Sequence, residues 1–405
     1  MLAVLAVSGA CGNVPDLSET FRHGDALRRS GDGAIRELKD GAFDIVIGNP
    51  PYGIKISPHD RAHYKKNYVW LNSRYDIYML FFERGFSLTR NVLCYITPDK
   101  WLSKSFGLIF REQCMVPYMR RIVRLGNGVF GTALVDAVVS LFARSAQQFL
   151  TVVRCEGSLQ CQRCRMLDKS ALAAPFIIDE YFHEEAPVIS QLERQTHRLR
   201  EFASCEYAFA NPKAAYALVP ILHQGAQDKP YLRVINTGLI GKYSPLWAHK
   251  TMRYLRQRYD RATVSVEDLR RVFSEPCACR MLRPKLVLKG LSRLDCCVDL
   301  DGCYFSTVAT LHVTADDAQI LKVLAAILNA PASQAYLRAK YSSSSYCGGL
   351  LFTPEMIGSL PVPDLSDMSV WRDVLDAVDE VLTADICRED KCQEIAALVE
   401  AHYGI

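Results

Sequence analysis

The sequence predicts an α/β protein whose first part is a mostly parallel sheet with helices and whose second part is an α+β domain. From Phe21 to about Arg144, short apolar runs typical of strands alternate with runs of helical periodicity, the pattern of a mostly parallel sheet. From Cys205 onward this alternation gives way to Gly and Pro breaks, short β-like runs and basic helices. At 405 residues, 49% of them hydrophobic, the chain is long enough for two domains.

The elements of the first part follow one another in a regular order. They are a strand over Thr20–Gly24 that closes at Asp25, a helical turn over Ile35–Lys39, a strand over Phe43–Gly48, a helix over Tyr75–Leu88, a strand over Val92–Ile96, a helix over Lys104–Cys114, and strands over Ile122–Leu125 and Ala133–Ala143. Because the strand over Phe43–Gly48 is apolar almost throughout, we expect it to be buried. Ligands of such sheets bind at the carboxyl ends of the strands, so we expect the site there.

The second part has its own set of elements. We assign residues 1–165 to the first domain, 166–204 to a linker, 205–365 to the second domain and 366–405 to a C-terminal helical tail. The predicted elements are an amphipathic helix within Glu184–Leu199, strands over Tyr231–Ile235, Lys285–Gly290 and Cys296–Leu300, a helix over Ile320–Ala339, and one or two helices within Val370–His402.

Composition is typical of an ordinary soluble protein. No apolar run approaches the ~20 residues of a membrane span, and Met1–Val7 lacks the basic flank of a secretory signal, so we expect a cytoplasmic protein outside the membrane. The 15 cysteines are then expected to be reduced thiols, without a metal. A zinc site at Cys155, Cys161 and Cys164, with His183 as a fourth ligand, is the alternative that their spacing leaves open.

The most informative motif is the run Asn49-Pro50-Pro51-Tyr52-Gly53, which directly follows the strand over Phe43–Gly48. Proline fixes φ and lacks an N–H, so the loop is rigid and presents carbonyl oxygens outward. The Asn49 side-chain oxygen and the Pro50 carbonyl oxygen can accept both hydrogens of an exocyclic amine such as adenine N6, which favours a nucleophilic nitrogen. The ring of Tyr52 offers a face for stacking. An ordinary turn that closes a strand is the alternative for the motif taken alone.

A loop that mixes basic and aromatic residues comes next. Between Lys55 and Arg74 it carries Lys55, Arg61, Lys65, Lys66 and Arg74, interleaved with Tyr64, Tyr68 and Trp70. Beside a pocket for an extruded base, this mixture suits phosphate contacts and stabilisation of the opened duplex, and Lys55 is a candidate for such a contact. A solvated lid with a few packed aromatics is the alternative.

Positive charge is concentrated in the second domain. The whole chain has a net charge of +4, yet Lys229–Arg293 contains fifteen Lys or Arg against four acids. Such a segment is typical of a face that binds a polyanion. Lys285, Lys289 and Arg293 share one strand-like register, which makes them candidates for phosphate contacts. For Lys250–Arg261 alone, a set of solvated helix faces is an equally good interpretation.

These features resemble adenine-N6 DNA methyltransferases of restriction–modification systems, in particular the large bacterial methylases with γ-type motif order and a TaqI-like C-terminal specificity domain. In family order the resemblance rests on Arg22–Leu27, Asn49–Gly53, Tyr75–Arg84, Ile96–Leu102, Gly128–Phe130 and Ala325–Pro363. It implies an incomplete Rossmann-like, S-adenosyl-L-methionine-dependent methyltransferase domain followed by an α+β target-recognition domain. Double-stranded DNA is the implied substrate.

The resemblance also implies which residues bind the cofactor. Asp25 would bind the adenine amine of S-adenosyl-L-methionine, Phe81 would lie against the cofactor's adenine, and Asn49 would border it. For Asp25 the sequence leaves open a simpler role as the cap of a helix that begins at Ala26.

A second set of residues is implied for the target base. Asn49, Pro50, Pro51 and Tyr52 would form the catalytic motif, and Tyr52 and Phe130 would lie on the two faces of an adenine flipped out of the duplex. No metal takes part in this chemistry.

The chain departs from the family at its front end. The glycine-rich loop that holds the methionine part of the cofactor, and the acid that holds its ribose, are absent from the sequence. We therefore expect a methyltransferase without its first third, with an upstream polypeptide that carries those motifs, or a restriction endonuclease, as a further partner. An inactive or split-subunit DNA-binding remnant is one alternative, and methylation of an amine in protein or RNA is another.

Overall fold

The computed structural model describes residues 22–31, 33–70, 75–126, 136–156, 160–183, 187–209, 214–346, 349–384 and 389–405. The chain divides into two compact units, Met1–Ile177 and Ile178–Ile405. The predicted first domain ended at residue 165, whereas the last strand of the first unit continues to Asp168. The α/β class predicted from the sequence is confirmed.

The first unit is built on a six-stranded sheet with the order β1-β2-β4-β3-β5-β6. Its strands are β1 (Phe43–Gly48), β2 (Thr89–Pro98), β3 (Met119–Gly126), β4 (Ala137–Ala143), β5 (Phe149–Glu156) and β6 (Gln160–Asp168). Strands β1 and β2, and strands β3 and β5, pair in parallel, whereas the other three pairings are antiparallel. The carboxyl ends of β1, β2 and β3 consequently share one edge of the sheet.

The sheet is mixed rather than mostly parallel, which corrects the prediction. Strand β4 lies between β2 and β3 and runs opposite to both. The connection from β3 to β4 is short and carries no predicted helix, and a parallel crossover needs a longer connection that usually contains one.

The helices of the first unit lie at Pro58–Asn67 and Ile77–Leu88 and along a helical stretch from Ser105 to Tyr118. The last two confirm predicted helices. The helix Pro58–Asn67 falls in a segment that was expected to be a loop. Its signal is present in the sequence, because Ser57 accepts a hydrogen bond from the Asp60 backbone N–H and a proline occupies the first helical position.

Strand β1 differs from its prediction in burial. It has the predicted bounds, but the residues Ile45 and Ile47 are 59% and 76% exposed. Among the described residues, β1 stands at the edge of the sheet and pairs with β2 alone. The expectation of a buried strand is therefore wrong for the described residues.

The second unit contains two four-stranded sheets, with orders β17-β10-β13-β9 and β16-β14-β18-β8, beside smaller pairings. Its strands are β7 (His197–Arg198), β8 (Ser204–Tyr207), β9 (His223–Gln224), β10 (Tyr231–Ile235), β11 (Met252–Tyr254), β12 (Gln257–Tyr259), β13 (Ala262–Ser265), β14 (Lys285–Lys289), β15 (Leu291–Ser292), β16 (Cys296–Asp299), β17 (Tyr304–Ser306), β18 (Thr310–Thr314), β19 (Ser345–Tyr346), β20 (Gly349–Leu351) and β21 (Pro361–Val362). Val234, Val264, Val287 and Phe305 belong to one buried cluster, so both larger sheets contribute to the same core.

The helices of the second unit are Pro187–Glu193, Ala214–Leu218, Val266–Val272, Glu275–Leu282, Ala318–Asn329, Pro331–Lys340, Pro354–Gly358, Arg372–Thr383 and Glu389–Tyr403. The predicted helix over Ile320–Ala339 is divided in two, with a bend of 66°, because Pro331 cannot continue the preceding helix. In the described ranges no single helix has the length and apolar character to cross a membrane, although these two pass that test as a bent pair.

Lys250–Arg261 is not helical. It forms the hairpin of β11 and β12, in which Met252 pairs with Tyr259 and Tyr254 with Gln257. The alternative of solvated helix faces is therefore wrong for this segment.

Candidate functional site

The motif Asn49–Gly53 lies at the carboxyl end of β1, as predicted. Asn49 is exposed, Pro50 is buried and Tyr52 is partly buried. The Gly53 backbone N–H donates to both carboxylate oxygens of Asp76, at 3.1 and 3.2 Å, and Gly53 has a φ of +69°. Asp76 stands at the N-terminus of the helix Ile77–Leu88 without capping it. The motif is thus tied to that helix and remains open to solvent at Asn49.

The strand that carries the motif is positioned against Tyr95. A Cβ atom at Gly48 would lie 3.0 Å from Cε1 of Tyr95, and one at Gly85 would lie 2.3 Å from its hydroxyl oxygen. The ring of Tyr95 on β2 therefore occupies space that side chains at Gly48 and Gly85 would need. The two glycines allow β1, β2 and the helix Ile77–Leu88 to pack closely beneath the motif.

Asp25 lies in a short bridge with Ala34 and has a partly exposed side chain. Its carboxylate accepts hydrogen bonds from the Leu27 backbone N–H at 2.9 Å, from Arg28 Nε at 3.3 Å and from the Tyr64 hydroxyl at 3.5 Å. Burial, reinforced by the charge of Asp25, raises the pKa of Tyr64 to about 12. The hydroxyl of Tyr64 is therefore a neutral donor to Asp25 at physiological pH.

No described helix begins at Ala26, so the alternative role of Asp25 as a helix cap is not seen. The bond from Leu27 makes Asp25 the start of a local turn.

An apolar cluster joins the Asp25 segment to the helix below the motif. Leu27, Tyr64, Tyr68 and Leu80 form its buried part, and Phe81 packs against it. The Tyr68 hydroxyl donates to the Leu27 carbonyl at 2.6 Å. The structure thus brings Asp25 and Phe81, predicted separately, to the same cluster.

The loop after the motif shows a division between its aromatic and basic residues. Tyr64 and Tyr68 are buried, while Lys55, Lys65 and Lys66 are exposed. These aromatic side chains therefore pack within the protein, which supports the alternative of a solvated lid with a few packed aromatics. Lys55 remains accessible to a phosphate.

Sequence reasoning missed a buried acid at the same edge of the sheet. Asp99 directly follows β2 and is fully buried. Its carboxylate accepts a hydrogen bond from Arg124 Nη2 at 2.5 Å and lies 3.4 Å from Lys100 Nζ. A buried carboxylate needs such partners, and the pair holds the end of β2 to β3. The only sequence signal was an acid placed directly after an apolar strand.

In the second unit, the three basic residues predicted to contact phosphate all pair with acidic side chains. Lys285 is fully buried, and its Nζ lies 2.5 Å from Asp299 and 2.7 Å from the Met281 carbonyl oxygen. A phosphate cannot reach an ammonium in this position, so we withdraw Lys285 as a contact.

Lys289 and Arg293 share a different acid. Lys289 Nζ lies 2.5 Å and Arg293 Nε 2.9 Å from the carboxylate of Asp295. The side chain of Arg293 is 64% exposed, so of the three predicted contacts Arg293 is the one that a phosphate can approach most freely.

Two further predictions concern residues outside this geometry. Phe130 lies outside the described residues. Cys155 and Cys161 pair across β5 and β6, and Cys161 and Cys164 are exposed. Among the residues that the structure describes, no three His, Cys, Asp or Glu side chains are grouped so that they could hold a metal ion.

Comparison with known proteins identifies relatives for the first unit. Residues 13–130 match the model of the Eco57I restriction-modification methylase family. The type II restriction enzyme and methyltransferase RM.Eco57I of Escherichia coli is 26% identical over 131 residues, which cover 28% of this chain and 13% of that protein. The type II methyltransferase M.TthHB8I of Thermus thermophilus is 28% identical over 117 residues, 26% of this chain and 27% of that protein.

The matched stretch contains the motif, Asp25, Phe81 and Phe130. The predicted resemblance to restriction–modification methyltransferases is therefore confirmed for this part of the chain, which spans well under a third of either relative.

A solved structure resembles the whole chain in fold. The type IIL restriction-modification enzyme MmeI, solved in complex with DNA, superposes with a TM-score of 0.53 over 99% of this chain and 60% of that protein, at 12% sequence identity. At this identity the likeness concerns the fold alone. It extends across both units.

Proposed function

We propose that this chain methylates N6 of an adenine flipped out of duplex DNA, with S-adenosyl-L-methionine as methyl donor, within a restriction–modification system. The observation that carries the proposal is the exposed Asn49 at the carboxyl end of β1, followed by the buried Pro50 and anchored through Gly53 to Asp76. The methyltransferase relatives of residues 13–130 support it.

Asn49 and Pro50 act on the nitrogen that is to be methylated. The lone pair of an adenine amine is delocalised into the ring, which makes N6 a poor nucleophile. Hydrogen bonds from its two N–H groups to the Asn49 side-chain oxygen and the Pro50 carbonyl oxygen favour a pyramidal nitrogen with an available lone pair. Because the loop is already rigid, this stabilisation needs little reorganisation during the reaction. Tyr52 and Phe130 would hold the base by stacking.

Asp25 and Phe81 fit the adenine part of the cofactor. The carboxylate of Asp25 is partly exposed and can accept a hydrogen bond from an amine. Phe81 adds an apolar surface to the cluster beside it. S-adenosyl-L-methionine supplies the methyl group when bound.

Residues 205–365, within the second unit, are proposed as the target-recognition domain, with the TaqI-like character that the sequence suggests. The excess of Lys and Arg within Lys229–Arg293, fifteen against four acids, suits the phosphate backbone, which positions such proteins on DNA. Lys55 and Arg293 are the predicted phosphate contacts whose side chains are accessible.

In the part of the chain that the structure describes, no strand pairs with the outer edge of β1. This edge favours a second candidate, a subunit that works with another polypeptide. Ile45 and Ile47 expose an apolar face there, and an unpaired strand edge is a template for further pairing. A second polypeptide that carries a glycine-rich loop would complete the cofactor site. A restriction endonuclease is the other partner that the system implies.

The test is transfer of a radiolabelled methyl group to DNA of mixed sequence, followed by analysis of the digested bases. We expect N6-methyladenine with the chain alone or together with the product of the adjacent upstream reading frame. Asn49→Ala should abolish transfer with little change in DNA affinity. Asn91→Ala, a change at another exposed asparagine of the first unit, should leave transfer unchanged. Methylation that survives Asn49→Ala would exclude the catalytic assignment.

A further inference from the structure

The hairpin of β11 and β12 has an arginine-rich outer face and an anchored inner face. Met252 and Tyr254 are buried in the core of the second unit. The Tyr254 hydroxyl donates to the Ala215 carbonyl at 2.9 Å, and the Arg253 carbonyl accepts from Asn236 Nδ2 at 3.0 Å. The hairpin is therefore held rigidly against the core. Tyr259 also packs against this core, whereas Arg253 and residues 255–258 are exposed.

Two arginines stand directly opposite each other on this outer face. Arg253 pairs with Arg258 across the two strands, and both side chains are exposed. Like charges opposite each other in an antiparallel pair destabilise it. Within the described part of the chain neither forms an ion pair, nor does Arg256.

Two other arginines of the second unit, Arg270 and Arg271, have acidic partners. In the helix Val266–Val272, Arg271 pairs with Asp268, and Arg270 lies 3.7 Å from Glu275. The one acid within the hairpin segment, Asp260, accepts a hydrogen bond from the Thr251 hydroxyl at 2.7 Å. Within the described residues, Arg253, Arg256 and Arg258 thus lack the acidic partners that Arg270 and Arg271 have.

The tip of the hairpin has an unusual conformation. Leu255 and Arg256 both have positive φ, +42° and +74°. A two-residue turn of this type favours Asn and Gly, because residues with a Cβ are strained there. The sequence therefore keeps a large apolar and a large cationic side chain at the tip despite the strain. Strained residues of this kind cluster at functional sites.

We infer that this hairpin is the element of the second unit that enters a groove of duplex DNA. Arg253 and Arg258 would hold one phosphate between them, since an anion removes their repulsion and guanidinium groups bind phosphate in a bidentate manner. Arg256 would reach the base edges from the tip. The major groove admits a two-stranded β-ribbon, and a cleft of about 680 Å³ beside the hairpin, lined by Lys250, Arg253 and Arg258 among others, leaves room for the backbone. The inference rests on the proposed action on DNA.

The test uses the full chain and a fluorescent duplex of mixed sequence, with affinity measured by anisotropy across a salt series. In Arg253→Gln/Arg258→Gln we expect weaker binding and a slope of log affinity against log salt that is flatter by about one. The matched control Arg270→Gln/Arg271→Gln makes the same change in charge within the same unit. Because those arginines are already paired with acids, their loss should change the slope little.

A second variant distinguishes the loss of a DNA contact from a loss of folding stability. Leu255→Asn/Arg256→Gly installs the residues that the turn favours, so the melting temperature should rise while duplex affinity falls. If the wild-type chain shows no salt-dependent binding to duplex DNA, the proposed function fails and the inference with it. If the wild type binds but both hairpin variants keep its affinity and slope, only the inference is overturned.

Discussion

Replacement of Lys285 by methionine tests whether this residue serves stability or DNA binding. The sequence suggested a phosphate contact, whereas the structure buries the ammonium beside Asp299. Lys285→Met keeps the length of the side chain and removes its charge, so the buried carboxylate of Asp299 loses its cation. Removal of one partner from a buried ion pair costs about 3–5 kcal/mol.

The lower end of that range applies here. The carboxylate of Asp299 also accepts hydrogen bonds from the backbone N–H groups of Cys303 and Tyr304, at 2.8 and 3.1 Å, which remain in the variant. We therefore expect a loss of about 3 kcal/mol, or roughly 6–12 °C in melting temperature for a unit of this size. Duplex affinity, measured at a temperature where the variant is folded, should not change.

The matched control is Lys289→Met in the same strand. Its partner Asp295 keeps the ion pair with Arg293 at 2.9 Å, and the side chain of Lys289 is partly exposed. We expect a loss of about 1 kcal/mol or less. Thermal unfolding followed by circular dichroism gives both values. An unchanged melting temperature in Lys285→Met, together with weaker duplex binding, would refute the structural role and restore the phosphate contact.

Three further predictions concern the first unit. Asp76→Ala removes the carboxylate that accepts from the Gly53 N–H and should lower kcat of methyl transfer at least tenfold, whereas Asp76→Asn, which keeps one acceptor oxygen, should lose less. Gly48→Ala would place a Cβ 3.0 Å from the Tyr95 ring and should destabilise the unit by about 1–3 kcal/mol, measured by urea unfolding; a stability equal to wild type would contradict the close packing. Because the pKa of Tyr64 in the folded protein is about 12, above that of a free tyrosine, its contribution to stability should be complete below about pH 10 and be lost as the pH rises through 12. Absorbance of tyrosinate in wild type and Tyr64→Phe checks this, and ionisation near pH 10 would contradict the burial.

The sheet edge that carries the motif Asn49–Gly53 was largely predictable because its signals are local. The bounds of β1, the motif after it and the helix Ile77–Leu88 all follow from runs of a few residues. What could not be predicted was the environment of β1. An apolar run shows that a strand suits burial, but not which neighbours cover it, and Ile47 is exposed.

The secondary structure of the second unit was predicted less well because its many charged residues obscured the alternation of buried and exposed positions. In the hairpin, Met252 and Tyr254 are buried while Arg253 and Leu255 are exposed, an alternation typical of a strand, yet the density of arginines suggested helix faces. Lys285 shares a strand face with Val287, which is fully buried. The apolar neighbour Val287 was the available sign that Lys285 points inward. Its partner Asp299 lies on the adjacent strand, fourteen residues further along the chain, so the sequence alone does not show that the two side chains meet.

The two parts of the proposed function can be tested independently because they depend on different units. Asn49→Ala removes the acceptor proposed to bind the target amine and should lower kcat, with the dissociation constant for DNA unchanged. Arg253→Gln/Arg258→Gln removes the phosphate contact and should raise that constant, while kcat at saturating DNA stays near the wild-type value, since no atom of the hairpin is proposed to touch the reacting amine. If the hairpin variant also lowered kcat at saturation, the groove contact would be needed to extrude the base, and binding and catalysis would then have to be treated as one coupled step.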